Sequence, residues 1–160
     1  MARPVTNVVF AGLGGQGVIK ASDILVQAAF RHGYDVKKSE IHGMSQRGGS
    51  VTSDVRFGDA VLSPMVTDGE TDYLVVLAPE EVEGNRRRLR EGGVLITPDQ
   101  IDPTALANPK SLNVALLGVL SAHLDIPESL WLDAIHQAFP EKLHRVNDAA
   151  FALGRTQRSM

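Results

Sequence analysis

The sequence predicts an α/β fold: a twisted, mostly parallel sheet flanked by helices, with a C-terminal helical segment. Three observations predict it. Short apolar runs of strand length recur as far as Thr97, at Val8 to Ala11, Tyr73 to Ala78 and Val94 to Thr97, and such runs suit strands buried on both faces. Four glycines, Gly12, Gly14, Gly15 and Gly17, separate the first run from a stretch of helical period. Beyond Ser111 the apolar residues recur at helical spacing alone.

The first strand enters the glycine turn at Gly12, and a helix is expected from Gly17 to Arg31. Its apolar face is Ile19, Ile24, Leu25, Ala28 and Ala29, and His32-Gly33 supplies the stop. A strand, a glycine turn and a helix in this order make a Rossmann-like unit. The turn, Gly12, Gly14, Gly15, Gln16 and Gly17, presents backbone N–H groups at a helix N-terminus and so suits phosphate or another anion. Gly12-x-Gly14-x-x-Gly17 satisfies the dinucleotide-binding pattern in its required context. The P-loop pattern fails, because Val18-Ile19 stand where Lys-Ser/Thr is needed. Glycines that only let the helix pack close to the strand are the other reading. Tyr34 to Ser39 reads as a second strand, ending beside Glu40. That acid lies about 20 residues past the glycines, where a carboxylate meets a ribose hydroxyl in nucleotide-binding units. Lys37 and Lys38 read as a solvated strand edge, with a phosphate contact as the alternative.

A second unusual stretch follows, Ser39 to Ser50. It places Glu40, His42, Gly43, Met44, Gln46, Arg47, Gly48 and Gly49 within a dozen residues. Gly48-Gly49 permits close approach of another chain or ligand, and the planar fork of Arg47 suits a carboxylate or phosphate. The set reads as an interface or a site-closing loop, since binding residues concentrate on loops. The plainer reading is that Glu40, His42 and Arg47 satisfy one another. A serine nucleophile at Ser45 is rejected, because Arg47 replaces the closing glycine of the elbow and no helix follows.

Val51 to Phe57 alternates as a half-exposed strand, Gly58-Asp59 reads as a turn, and Ala60 to Ser63 as a hairpin return. Tyr73 to Ala78 is a buried strand. Pro79 opens a helix whose acids, Glu80, Glu81 and Glu83, precede its arginines, Arg86, Arg87, Arg88 and Arg90. That order complements the macrodipole and reads as a solvated helix end. Gly92-Gly93 resets the chain before the strand Val94 to Thr97, and Pro98 to Pro109 is a connector. A central helix is expected from Ser111 to Leu124, with Gly118 at a close contact. Another runs from Pro127 to Pro140, and a last one from Lys142 to Leu153. Gly154 to Met160 is expected to fray. Nothing divides the chain, so residues 1–160 read as one domain.

Composition narrows the function. A net charge of −3 and a pI near 5.9 argue against nucleic-acid and anionic-membrane binding. No apolar run is long enough to span a bilayer and no secretory segment is apparent, so a cytoplasmic location is expected. With no cysteine, the chain has no disulfide, thiolate nucleophile or cysteine-held iron–sulfur cluster. The five histidines lack ligand spacing, and no metal site is expected.

Gly12-Leu13-Gly14-Gly15-Gln16-Gly17 together with Ser39 to Gly49 resembles the gamma subunit or gamma domain of 2-oxoacid:ferredoxin oxidoreductases. The second stretch looks most like the small (beta) subunit of the indolepyruvate type, and the pyruvate-type gamma domains match best at Arg47-Gly48-Gly49. Asn113 to Gly118 and Asn147 to Phe151 also resemble family positions, whereas the tail is short for the indolepyruvate type. The resemblance implies a multi-subunit enzyme using thiamine diphosphate, Mg2+, iron–sulfur clusters and coenzyme A, with ferredoxin as electron acceptor. It implies that this chain binds none of these alone and docks on the catalytic thiamine- and cluster-binding subunits, with no catalytic residue of its own. A homodimer of the isolated chain is a further expectation. A free-standing NAD(P)- or phosphate-ligand-binding module is the alternative.

Overall fold

The computed structural model describes residues 2–43 and 49–157. The strands are β1 (Thr6–Leu13), β2 (Asp35–His42), β3 (Ser50–Gly58), β4 (Thr71–Val76) and β5 (Leu89–Ile96). The α-helices are α1 (Val18–Arg31), α2 (Val82–Asn85), α3 (Leu112–Ser121), α4 (Glu128–Ala138) and α5 (His144–Thr156).

The five strands form one sheet in the order β2-β3-β1-β4-β5. The α/β class and flanking helices agree with the sequence. The sheet, however, is mixed rather than mostly parallel: β1–β4 and β4–β5 are parallel, whereas β1–β3 and β2–β3 are antiparallel. The cause is the short link between β2 and β3. A parallel crossover needs a dozen or more residues, and the segment from Gly43 to Gly49 supplies too few. The chain therefore turns back, and β3 enters the sheet between β1 and β2.

One face carries the main core. Val8, Phe10, Val55, Phe57, Val75 and Ile96 pack there against Leu116, Leu117, Leu120, Trp131, Ile135 and Phe151 of the helices. The opposite face holds a smaller cluster of Val9, Ala11, Leu74 and Val76, closed by Val66. Burial on both sides explains why β1 reads as an unbroken apolar run.

Residues 59–70 cross this second face without forming the expected hairpin return. They are held to the sheet by side chains instead. Val61 N–H donates to Asp35 (2.7 Å), Arg56 donates to the Ser63 carbonyl (2.7 Å), and Val66 N–H donates to Asp54 (2.9 Å). Arg88 grips the same Asp54 through two bonds of 2.9 and 2.7 Å and reaches the Val66 carbonyl at 3.1 Å. Both partners of this ion pair are buried, at 1% (Asp54) and 8% (Arg88) exposure.

The arginine run is therefore not one solvated helix end. Pro79–Glu81 and Arg86–Arg88 are single 3-10 turns around the one-turn α2, Arg88 faces inward, and Arg90 already lies in β5. Gly84 weakens helix continuity at the centre of this stretch, and the Asp54–Arg88 pair draws the chain onto the sheet. Other boundaries move: β5 begins at Leu89 rather than Val94, so Gly92-Gly93 lie within it and do not reset the chain. β2 continues beyond Ser39 to His42, and α5 continues beyond Leu153 to Thr156, with Gly154 buried in the helix interface. Residues 158–160 of the expected frayed tail lie outside the described residues. Among the described residues no helix is long and apolar enough to cross a membrane.

Candidate functional site at the glycine turn

β1 and β3 run antiparallel with Leu13 opposite Ser50, and β2 pairs with β3 so that His42 lies opposite Val51. The two unusual stretches of the sequence therefore meet at one end of the sheet. Gly14 N–H donates to the Gly49 carbonyl (2.9 Å), and Gly43 N–H donates to the Ser50 carbonyl (2.6 Å).

The turn itself is built from backbone that only glycine adopts freely. Gly15 and Gly17 have φ of 89° and 82°, in the left-handed region. Gly17 occupies the N-cap of α1 with no side-chain hydrogen bond, so among the described residues no side chain caps the first N–H groups of the helix. Gln16 folds back within the turn: its Oε1 accepts from Leu13 N–H at 2.8 Å, and its own N–H donates to the Leu13 carbonyl at 3.2 Å. Asn113, at the start of α3, donates to the Gly17 carbonyl at 3.3 Å, and its side chain fills the space a Cβ at Gly17 would need. In the sequence Asn113 is marked only by its resemblance to a family position. The available signal was a buried amide at the head of an otherwise apolar helix.

Beside the turn is an open cavity of about 510 Å³, lined among others by Gly15, Gly17, Lys20, Leu77, Lys110 and Asn113. Lys20 Nζ donates to the Ala138 carbonyl at 3.0 Å and sits 5.0 Å from the centre of the Phe139 ring. Pro109 and Leu112 are shared with a second cavity of about 450 Å³, whose other walls include Ile101, Pro103 and Leu106. Together they offer N–H donors and two ammonium groups at one end and apolar walls at the other. Chemically, that arrangement suits an anion attached to a larger organic group.

Glu40 does not stand beside the turn. β3 intervenes, leaving β2 two strand spacings, roughly 10 Å, from β1. The Glu40 carboxylate instead binds Lys38, which also binds Asp23 of α1. The Lys38 hydrogen bond holds the Glu40 carboxyl below its ordinary range, against a smaller opposing effect of desolvation. His42 lies 3.7 Å from Glu40 and is well exposed. Of the second set, Glu40, His42, Gly43 and Gly49 are thus placed at this end of the sheet; Met44, Gln46, Arg47 and Gly48 lie outside the described residues. Among the described residues no three histidine, aspartate or glutamate side chains are grouped to hold a metal.

Known proteins share both fold and sequence with this chain. It is 34% identical to indolepyruvate oxidoreductase subunit IorB of Thermococcus kodakarensis, over 92% of this chain and 93% of that protein. It is 35% identical to the pyruvate/ketoisovalerate oxidoreductases common subunit gamma of the same organism, over 54% of this chain and 48% of that one. The fold matches a keto/oxoacid ferredoxin oxidoreductase gamma subunit from Geobacter sulfurreducens, with a TM-score of 0.81, 24% identity and 96% of each chain covered. It also matches part of the 2-oxoglutarate:ferredoxin oxidoreductase of Magnetococcus marinus, with a TM-score of 0.83 and 19% identity, covering 96% of this chain and 31% of that one. A family model described as pyruvate ferredoxin/flavodoxin oxidoreductase matches residues 7–157. With a match from the first strand to the end of α5, and a relative aligned over nearly its whole length, this chain belongs to the pyruvate ferredoxin/flavodoxin oxidoreductase family.

Proposed function

We propose that this chain is the gamma-type subunit of a 2-oxoacid:ferredoxin oxidoreductase, the one that holds neither the thiamine diphosphate nor the iron–sulfur clusters. The complex would oxidise an arylpyruvate such as indolepyruvate. The observation that carries the reading is the near end-to-end likeness to an indolepyruvate oxidoreductase subunit, joined to a cysteine count of zero. Thiolates hold such clusters, so electron transfer belongs to partner chains, as do the thiamine and its Mg2+. In the balanced reaction the 2-oxoacid and coenzyme A give acyl-CoA and CO2. Two electrons pass singly to two ferredoxins, and one proton is released. A complex of this kind works in the cytoplasm.

This chain's own contribution would be made at the end of the sheet where the two glycine-bearing stretches meet. The Magnetococcus enzyme is known with coenzyme A and succinyl-CoA bound. A phosphate-bearing acyl acceptor suits the turn, since the α1 N-terminus, Lys20 and Lys110 supply positive charge there and the apolar cavity adjoins it. The Glu40–Gly49 stretch would dock on the catalytic subunits, and the Gly14–Gly49 hydrogen bond ties that stretch to the turn.

A free-standing NAD(P)-binding module draws support from the same turn, and from its cavity. Against it stands Glu40, held by Lys38 and two strands away from the position a ribose-binding acid needs. Titration calorimetry of the isolated chain separates the readings, and we expect no micromolar affinity for NAD(P). In a complex reconstituted with the catalytic subunits, Arg47→Ala should weaken assembly or turnover by at least about ten-fold, as expected for loss of an interface arginine anchor. The isolated variant should unfold at the wild-type temperature. Full activity of the Arg47→Ala complex would remove the docking role, and tight NAD(P) binding would favour the second reading.

A further inference from the structure

The two edges of the sheet are treated differently. β5 is irregular: its register with β4 shifts between Thr71 and Tyr73, and Gly92 has φ of 77°. Bulges and glycines of this kind blunt an edge against strand pairing. β2 has no bulge or glycine, and its only guard is charge, at Asp35, Lys37, Lys38 and Glu40. It is eight residues long, pairs with β3 without a register break from Asp35 to His42, and contains neither proline nor glycine.

The outward groups of β2 can be assigned. Gly43 N–H bonds back to Ser50 in continuation of the β2–β3 ladder. In an antiparallel pair successive residues alternate between facing the neighbour and facing away. Val36, Lys38, Glu40 and His42 therefore turn their N–H and C=O groups to the side where, among the described residues, no further strand pairs. Such a row is a template for another strand.

We infer that two copies of this chain pair through β2, antiparallel, about a two-fold axis at Ser39. Charge favours this register over those centred on Lys38 and Glu40. A two-fold axis perpendicular to the sheet keeps each face continuous, so only residues of the same face can oppose one another. With the axis at Ser39, Lys38 of each copy lies opposite Glu40 of the other, Val36 opposite His42, and Lys37 opposite Ile41. Moving the axis to Lys38 sets lysine against lysine, and moving it to Glu40 sets glutamate against glutamate; like charges directly opposite are destabilising. In the favoured register the Lys38–Glu40 pair within each chain becomes a ring of four alternating charges, with Asp23 of α1 bound to each Lys38 outside the ring. The Lys37 stem covers Ile41 of the second copy, a side chain otherwise 53% exposed. An edge pairing without a second packed layer is small, so the dimer is in concentration-dependent exchange with the monomer.

Sedimentation of the full chain tests this. The weight-average mass should rise with concentration above the 17.2 kDa of one copy. Glu40→Lys should weaken the dimer by about ten-fold or more, because it sets lysine opposite lysine on both sides of the axis. Adding Lys38→Glu should restore it to within a few-fold, since each pair again joins opposite charges. A measurement on the unaltered chain covers variants that lose stability. In hydrogen exchange, the amides of Val36, Lys38, Glu40 and His42 should gain protection as concentration rises, and those of Lys37, Ser39 and Ile41, already bonded to β3, should not. A mass of one copy at every concentration overturns the pairing and leaves this edge for a different chain. A dimer indifferent to Glu40→Lys, or protected elsewhere, overturns it too.

Discussion

Asp54→Ala is expected to lower stability by about 3–5 kcal/mol, the usual result of removing one member of a buried ion pair. Among the described residues, the substitution leaves the Arg88 guanidinium, at 8% exposure, with only the Val66 carbonyl at 3.1 Å and the solvent-exposed Asp68, 3.6 Å away, as compensation. It also strips Val66 N–H of its acceptor. Since domains are commonly stable by only about 5–15 kcal/mol, a large share of the total would go. In urea the midpoint should fall sharply at unchanged slope. Replacing both members with apolar residues of similar size, Asp54→Leu with Arg88→Met, should recover much of the loss, because neither charge is then left unpaired. Asp59→Ala is the contrast: its partner Arg3 is as exposed as Asp59 itself, and the midpoint should barely move. An Asp54→Ala variant unfolding at the wild-type midpoint would show that residues 59–70 and the Arg86–Arg88 turn do not depend on this pair.

That pair also marks a limit of reading by local pattern. Arg86, Arg87, Arg88 and Arg90 are alike in sequence, and helix-end logic applies to all of them equally. What singles out Arg88 is a carboxylate 34 residues earlier in the chain, and no local periodicity carries that information. The sheet departs from the mostly parallel expectation for a different reason. Buried apolar runs report burial on two faces, not direction. Direction was legible elsewhere, in the shortness of the Gly43–Gly49 link, to which the topology rule applies directly. The glycine turn was the most readable element, because positive φ at Gly15 and Gly17 leaves few other residue choices. Its buttress was not readable, since the contact between Asn113 and Gly17 spans 96 residues. The junction of the two glycine-bearing stretches likewise follows from the Leu13–Ser50 register, which exists only once β3 has inserted beside β1.

Gly154→Ala should cost about 3 kcal/mol and lower the melting temperature by about 6–12 °C for a chain of this size. Alanine would ordinarily favour a helix over glycine by about 1 kcal/mol, so the expected sign runs against propensity. The reason is the crossing of α3 and α5. A Cβ on Gly154 would overlap the Ala115 carbonyl oxygen and come within 2.9 Å of Val119 N, and a Cβ on Gly118 would overlap the Phe151 carbonyl oxygen. These obstacles are backbone atoms, which cannot rotate aside as a side chain would, so the two helices must separate. Gly84→Ala is the control: nothing lies within 4 Å of a Cβ there, and stability should hold or rise slightly. The displacement should reach the candidate site as well. α3 carries Asn113 at its first turn, against the Gly17 carbonyl, so a shift of α3 loosens the support beneath the glycine turn. Below its melting temperature, Gly154→Ala should therefore move the amide resonances of Gly15 and Gly17 while leaving those of β2 in place. Unmoved Gly15 and Gly17 resonances in a destabilised variant would mean that the helix pair and the turn are mechanically independent.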